Sequence, residues 1–211
     1  YEIDPTSAMI AEVAMWLTQH QMNMRLESEF GKAVPTIPLH EAAIIINKNS
    51  LHIPWEAKQK FKKGKGDETI VFDYILGNPP FIGKQYQTEE QKKDMAKIIY
   101  DVKGAGVLDY VACWYYKAAK YINNTQIKVG FVSTNSICQG AQVPTLWKLL
   151  IEIEKLHIHF AHQTFKWDNE AKGNAAVFCV ILGFAKYNIV KKRLFEYDTV
   201  KSDPSERTVS H

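Results

Sequence analysis

Five short stretches constrain the fold of this chain more than anything else in it: Ala42–Ile46, Ile70–Leu76, Ile127–Ser133, His157–Ala161 and Ala175–Phe184. Brief runs this rich in β-branched and aromatic residues suit strands buried on both faces of a parallel sheet. Helical patterns separate them. Pro5 to Asn23 carries Met9, Ile10, Val13, Ala14, Trp16 and Leu17 at helical spacing. Thr88 with Gln91 makes a capping box for a helix ending near Tyr100. Leu108–Ile122 carries an aromatic stripe, and Val143–Leu156 has Pro144 in its first turn. Strands alternating with helices predict an α/β fold with a mostly parallel sheet. The last two strands lack a helical connection, so one strand is expected to be antiparallel.

Composition narrows the function classes. Lys and Arg number 26 against 23 Asp and Glu, a net charge of +3. That excludes a histone-like binder gripping nucleic acid by bulk charge. Apolar residues make up 46% of the 211, ample for a packed core. No apolar run approaches the roughly 20 residues that span a bilayer, so no membrane partner is expected. Three cysteines without CxxC spacing fit a reducing cytoplasm and no Cys-based metal site. The chain opens on Tyr1-Glu2-Ile3-Asp4-Pro5 without Met. This reads as a strand tail running into a helix N-cap followed by proline, and hence as a fragment.

The sharpest motif is Asn78-Pro79-Pro80-Phe81, directly after the Ile70–Leu76 stretch. In open α/β sheets ligands bind outside the carboxyl ends of strands. Each proline forces the residue before it away from helical backbone. Asn78 and Pro79 are thereby held extended, aiming a carboxamide and a carbonyl into the crevice. Two such acceptors take both hydrogens of one planar amino group and favour its pyramidal, nucleophilic form. Phe81 offers a π-face for stacking a base, worth about 1–3 kcal/mol.

This unit resembles the catalytic motif of amino-group methyltransferases that use S-adenosylmethionine. Further stretches narrow the likeness: His20-Gln21-Met22-Asn23, Gly77 to Gly83, Gly104 to Val111 and Trp167-Asp168-Asn169-Glu170-Ala171. They resemble the MmeI-like branch, large bacterial (type IIG/IIL) restriction–modification enzymes that methylate adenine N6 in DNA. The likeness runs from Tyr1 to about Phe184. It implies a Rossmann-like class I methyltransferase fold, N-terminally truncated, over residues 1–186. Residues 187–211 are then the start of a linker or target-recognition region. Asn78, Pro79 and Phe81 are implied as catalytic, Phe81 stacking on the flipped base. Trp167, or else Phe165, is implied as the second base-stacking aromatic. Glu2 and Ile3 are implied at the cofactor ribose, where a carboxylate accepts from a diol, and Asn49 and Ser50 at its adenine. The implied cofactor is S-adenosylmethionine, and the implied partner is double-stranded DNA. N-terminal regions of the same protein, able to include an endonuclease, and a C-terminal target reader are implied as well. The implied location is bacterial cytoplasm. The family's glycine-rich loop and central first strand would precede Tyr1, so an isolated fragment is expected to be inactive, with exposed sheet edges.

Other signals are weaker. Gly104-Ala105-Gly106 leads into an aromatic helix and reads as a loop, and Gly83-Lys84 does not fit a phosphate-binding P-loop. His157, His159 and His162 lack the carboxylate partners of a metal site, and no metal is expected. Lys58–Lys65 is read as a basic loop, either solvated or touching phosphates. Tyr110, Trp114 and Tyr115 are expected as core. The Asn78 motif alone also serves cytosine-N4 and protein-glutamine methyltransferases. A catalytically inactive DNA-binding scaffold is the alternative outside enzymes.

Overall fold

A computed structural model describes residues 1–31, 45–55, 59–62, 67–70, 72–167, 177–199 and 202–209. The chain divides into two units, Tyr1–Trp55 and Glu56–His211.

In the first unit, helix α1 spans Pro5–Phe30. Asp4 caps it, its side chain accepting from the Ser7 N–H at 2.7 Å. That bond holds the Asp4 carboxyl below the usual range, so the cap stays charged at neutral pH. Gly31 ends the helix at φ 62°, a left-handed turn that glycine adopts without a Cβ penalty. The helix was expected to stop near Asn23. It continues because Met24, Arg25, Leu26, Glu27 and Glu29 are strong helix formers, with Arg25 and Glu29 paired one turn apart at 3.0 Å. Of the Ala42–Ile46 stretch, residues 42–44 lie outside the described residues. Ile46 and Asn47 make a single parallel bridge to Glu2.

The second unit begins with an antiparallel hairpin, β1 (Gln59–Lys62) and β2 (Asp67–Ile70), in register Gln59↔Ile70. Part of the expected Lys58–Lys65 loop is therefore strand; Lys58 and residues 63–65 lie outside the described residues. Six further strands form one sheet in the order β3-β4-β6-β5-β7-β8. Their ranges are Tyr74–Gly77, Lys128–Thr134, His157–Trp167 (β5), Val177–Ala185 (β6), Lys192–Glu196 and Ser205–Val209. β3, β4, β5 and β7 point one way, while β6 and β8 run against them. The expected reversed strand is β6, and β8 is a second. Residues 187–211, read as the start of another region, carry β7 and β8, which continue this sheet.

Ile70–Leu76 is not one buried strand. Ile70 closes β2, and β3 starts only at Tyr74. Among the described residues β3 pairs only with β4, which leaves Tyr74 63% and Leu76 82% exposed.

The core lies between β4, β6 and helix α3 (Ala112–Tyr121). Tyr115 packs edge-on to Phe131 at 5.3 Å and stacks on Phe184 at 5.5 Å. Such pairs contribute about 0.5–1.5 kcal/mol beyond area burial. The Tyr115 hydroxyl shares a 2.9 Å hydrogen bond with Ser133, which satisfies both buried groups. Helix α2 (Glu89–Ile98) opens on the expected capping box, both of its hydrogen bonds formed. Helix α4 (Gln142–Trp147) passes into a π-helical turn over Lys148–Ile153.

Candidate active site

Gly77 ends β3 opposite Phe131 of β4. A Cβ on Gly77 would stand 2.9 Å from Phe131 Cε1, so only glycine lets the chain leave the sheet this close to the core. Asn78 then emerges exposed, Pro79 is buried, Pro80 is exposed and Phe81 is half-buried. Pro79 thus anchors the turn while its neighbours face outward. Among the described residues, neither the Asn78 carboxamide nor the Pro79 carbonyl has a hydrogen-bond partner. Two uncommitted acceptors therefore stand side by side at the carboxyl end of a strand.

The chain beyond Phe81 is tied down. The Ile82 N–H donates to the Pro80 carbonyl at 3.2 Å, and the Tyr110 N–H to the Ile82 carbonyl at 3.0 Å. The Lys84 N–H donates to Asp109 Oδ1 at 2.9 Å. Asp109 Oδ2 accepts from Ser136 Oγ at 2.7 Å and from Gln142 Nε2 at 2.6 Å. Gln142 Oε1 in turn accepts the Asp109 N–H at 3.1 Å. Asp109 and Gln142 are both buried.

β5 is far longer than the expected His157–Ala161, and it carries irregularities at Ile158/Phe160 and His162/Phe165. Its extra length brings Phe165 and Trp167 to the sheet rim that also carries Asn78. In strand order β3 and β5 lie three spacings apart, about 14 Å. Among the described residues no ring contact joins Phe81 to either aromatic. Phe165 is committed to a stack on Tyr197 at 5.5 Å. Trp167, last in β5, is 38% exposed and touches Phe165 at 6.1 Å. Asp168–Ala171 lie outside the described residues.

In the first unit, the Glu2↔Asn47 bridge brings the residues expected at a cofactor into one neighbourhood. Asn47 Nδ2 donates to the carbonyls of Glu2 and Ile3, each at 3.0 Å. Glu2 is half-buried; its Oε1 accepts the Asp4 N–H at 3.0 Å, while Oε2 has no partner among the described residues. A diol needs such an acceptor. Two residues past the bridge, Asn49 Oδ1 accepts the Leu51 N–H at 2.9 Å. The Ser50 carbonyl accepts from the Trp55 indole at 2.8 Å.

Comparison with known proteins places the chain. The family model described as "MmeI, DNA-methyltransferase domain" matches residues 1–196. The chain belongs to this family. DNA methyltransferase A of Bacillus subtilis (strain 168) is 42% identical over 202 residues, 95% of this chain and 22% of that protein. A solved structure of the Type IIL restriction-modification enzyme MmeI in complex with DNA is 46% identical with a TM-score of 0.84. It covers 99% of this chain, which spans 27% of that one. The chain thus spans about a quarter of the length of these relatives.

Several expected features of this MmeI-family domain lie elsewhere. His159 Nε2 is hydrogen-bonded to the Tyr187 carbonyl at 2.8 Å. His162 Nδ1 pairs with the Tyr197 hydroxyl at 2.8 Å, and its ring stacks on Phe195 at 4.2 Å. Tyr110, Trp114 and Tyr115 are core, as expected. A cavity of about 660 Å³ sits at the opposite end of β4, lined by Lys120, Glu154 and Lys186 among others and by none of the expected site residues. Among the described residues no helix is long and apolar enough to cross a membrane. The Asp109–Ser136–Gln142 cluster was missed by reading the sequence. An acidic residue inside Leu108-Asp109-Tyr110-Val111 was its one signal, because a buried carboxylate requires donors.

Proposed function

We propose that this domain transfers a methyl group from S-adenosylmethionine to the N6 amino group of adenine in double-stranded DNA. The observation that carries this reading is the pair of acceptors, Asn78 carboxamide and Pro79 carbonyl, which have no partner among the described residues and are fixed at a strand end by buried Pro79 and Gly77. The family membership and the DNA complex of MmeI support DNA as the partner.

The Asn78 and Pro79 oxygens accept the two amino hydrogens, which localises the nitrogen lone pair for attack. When bound, S-adenosylmethionine supplies an electrophilic methyl on a positively charged sulfonium. Glu2, through Oε2, would hold the ribose hydroxyls, with Ile3, Asn49 and Ser50 around the adenine. The target amino group is inaccessible within a duplex, so the base is flipped out. Phe81 stacks on one face of it and Trp167 clamps the other. Trp167 is favoured over Phe165 because Phe165 is already stacked on Tyr197. As the nitrogen takes the methyl group the carbon–sulfur bond breaks and a neutral thioether leaves, and the methylated nitrogen, now positively charged and acidic, gives up one proton to water. Positioning and fixed dipoles then supply most of the rate, without an ionisable base. The greater length of the relatives supports action together with further regions of the same protein, a target reader and an endonuclease among them.

Mass spectrometry of nucleosides tests the substrate. The intact encoded protein is expressed in a host free of its own DNA methylation. N6-methyladenine is expected in the host DNA. N4-methylcytosine in its place, or no methylated base at all, would contradict the reading.

A further inference from the structure

We infer that Asp109 is the positioning residue of the catalytic loop, presenting the Phe81 ring for stacking through a carboxylate shared by three segments; the inference rests on the function proposed above.

Asp109 has almost no exposed surface, yet each donor that holds it is neutral: the Lys84 N–H, the Ser136 hydroxyl and the Gln142 amide. A buried carboxylate is costly unless both of its oxygens are hydrogen-bonded. One donor on Oδ1 and two on Oδ2 meet that demand and fix the carboxylate in one orientation. Those donors come from separate places. Lys84 lies three residues past Phe81, Ser136 follows the carboxyl end of β4, and Gln142 opens α4. Gln142 grips Asp109 twice, at the side chain and at the main-chain N–H. The next residue, Tyr110, holds the Ile82 carbonyl through its N–H.

The chain on both sides of Gly83 is therefore bound to the 109–110 segment, which is itself bound to the turn after β4 and to α4. Phe81 sits between this tether and buried Pro79, so its direction is set before a base arrives. A ring oriented in advance forfeits less conformational freedom when it stacks. Replacing the carboxylate by a carboxamide would turn one acceptor into a donor facing donors, and the tether would open.

The test is single-turnover methyl transfer by the intact encoded protein. Asp109→Asn is expected to lower the transfer rate about 10- to 100-fold, the range for residues that orient others, with cofactor affinity unchanged. In a Phe81→Ala background the same substitution should cost less than about threefold, because groups acting through one another are non-additive. A general weakening of the fold would instead multiply through both backgrounds. If Asp109→Asn does not fold, Ser136→Ala carries the test: it removes one donor and should slow transfer in the parent but not in the Phe81→Ala background. Transfer lost in Asn78→Ala but kept within twofold in Asp109→Asn would overturn this inference alone. An Asp109 or Ser136 effect of equal size in both backgrounds would do the same. Transfer retained in Asn78→Ala would overturn the proposed function with it.

Discussion

Trp167 and Phe165 stand two residues apart at the end of β5, yet their rings are differently employed. Phe165 is half-buried and stacked on Tyr197, whereas Trp167 keeps 38% of its surface exposed. Trp167→Ala is therefore expected to reduce methyl transfer by about one to two powers of ten, the rate equivalent of losing a stack worth about 1–3 kcal/mol. Phe165→Ala should chiefly lower the unfolding midpoint. Parallel assays of transfer and thermal unfolding on the two variants check this, and the reverse pattern would make Phe165 the clamp. Asn78, Pro79 and Phe81 were legible in the sequence because two consecutive prolines after a strand leave the backbone few conformations. Asp109 was not, since its meaning comes from Lys84, Ser136 and Gln142, which only the folded chain brings to it.

At the scale of elements, β3 contributes little burial of its own but determines where the Asn78–Phe81 loop starts. Its last residue, Gly77, lies against the Phe131 ring, which is itself held by Tyr115 and Phe184. Gly77→Ala forces that ring or the strand to move. A loss of about 1–3 kcal/mol in stability by chemical denaturation is expected, the usual cost of overpacking a core. Unchanged stability would mean that the strand end is freer than its contacts imply. The capping box of α2 and the aromatic face of α3 could be read in advance, because each depends on residues three or four apart. Boundaries set by tertiary pairing could not. β3 begins where β4 offers a partner, and β5 runs on to Trp167 because β6 pairs with it again from Phe165 to Trp167.

For the whole molecule, alternating strand and helix signals sufficed to predict an α/β sheet with a reversed strand. They did not reveal the order β3-β4-β6-β5-β7-β8. The final pair, β7 and β8, was hidden by its polarity: Lys192 and Arg193, then Ser205 to Arg207, look like a solvated tail, yet they add two strands beside β5. The sheet gathers the ends of β3, β4 and β5 at one rim, and on that rim Asn78 and Pro79 present acceptors with no partner among the described residues. That these two oxygens activate the target amino group is the central claim. It is tested most directly by single-turnover methyl transfer to double-stranded DNA with the intact encoded protein and its Asn78→Ala variant. Removing one preorganised hydrogen-bonding group should lower the rate by about 10²–10³, with DNA and cofactor affinities little changed. A variant that transfers methyl groups at the parent's rate would contradict the account.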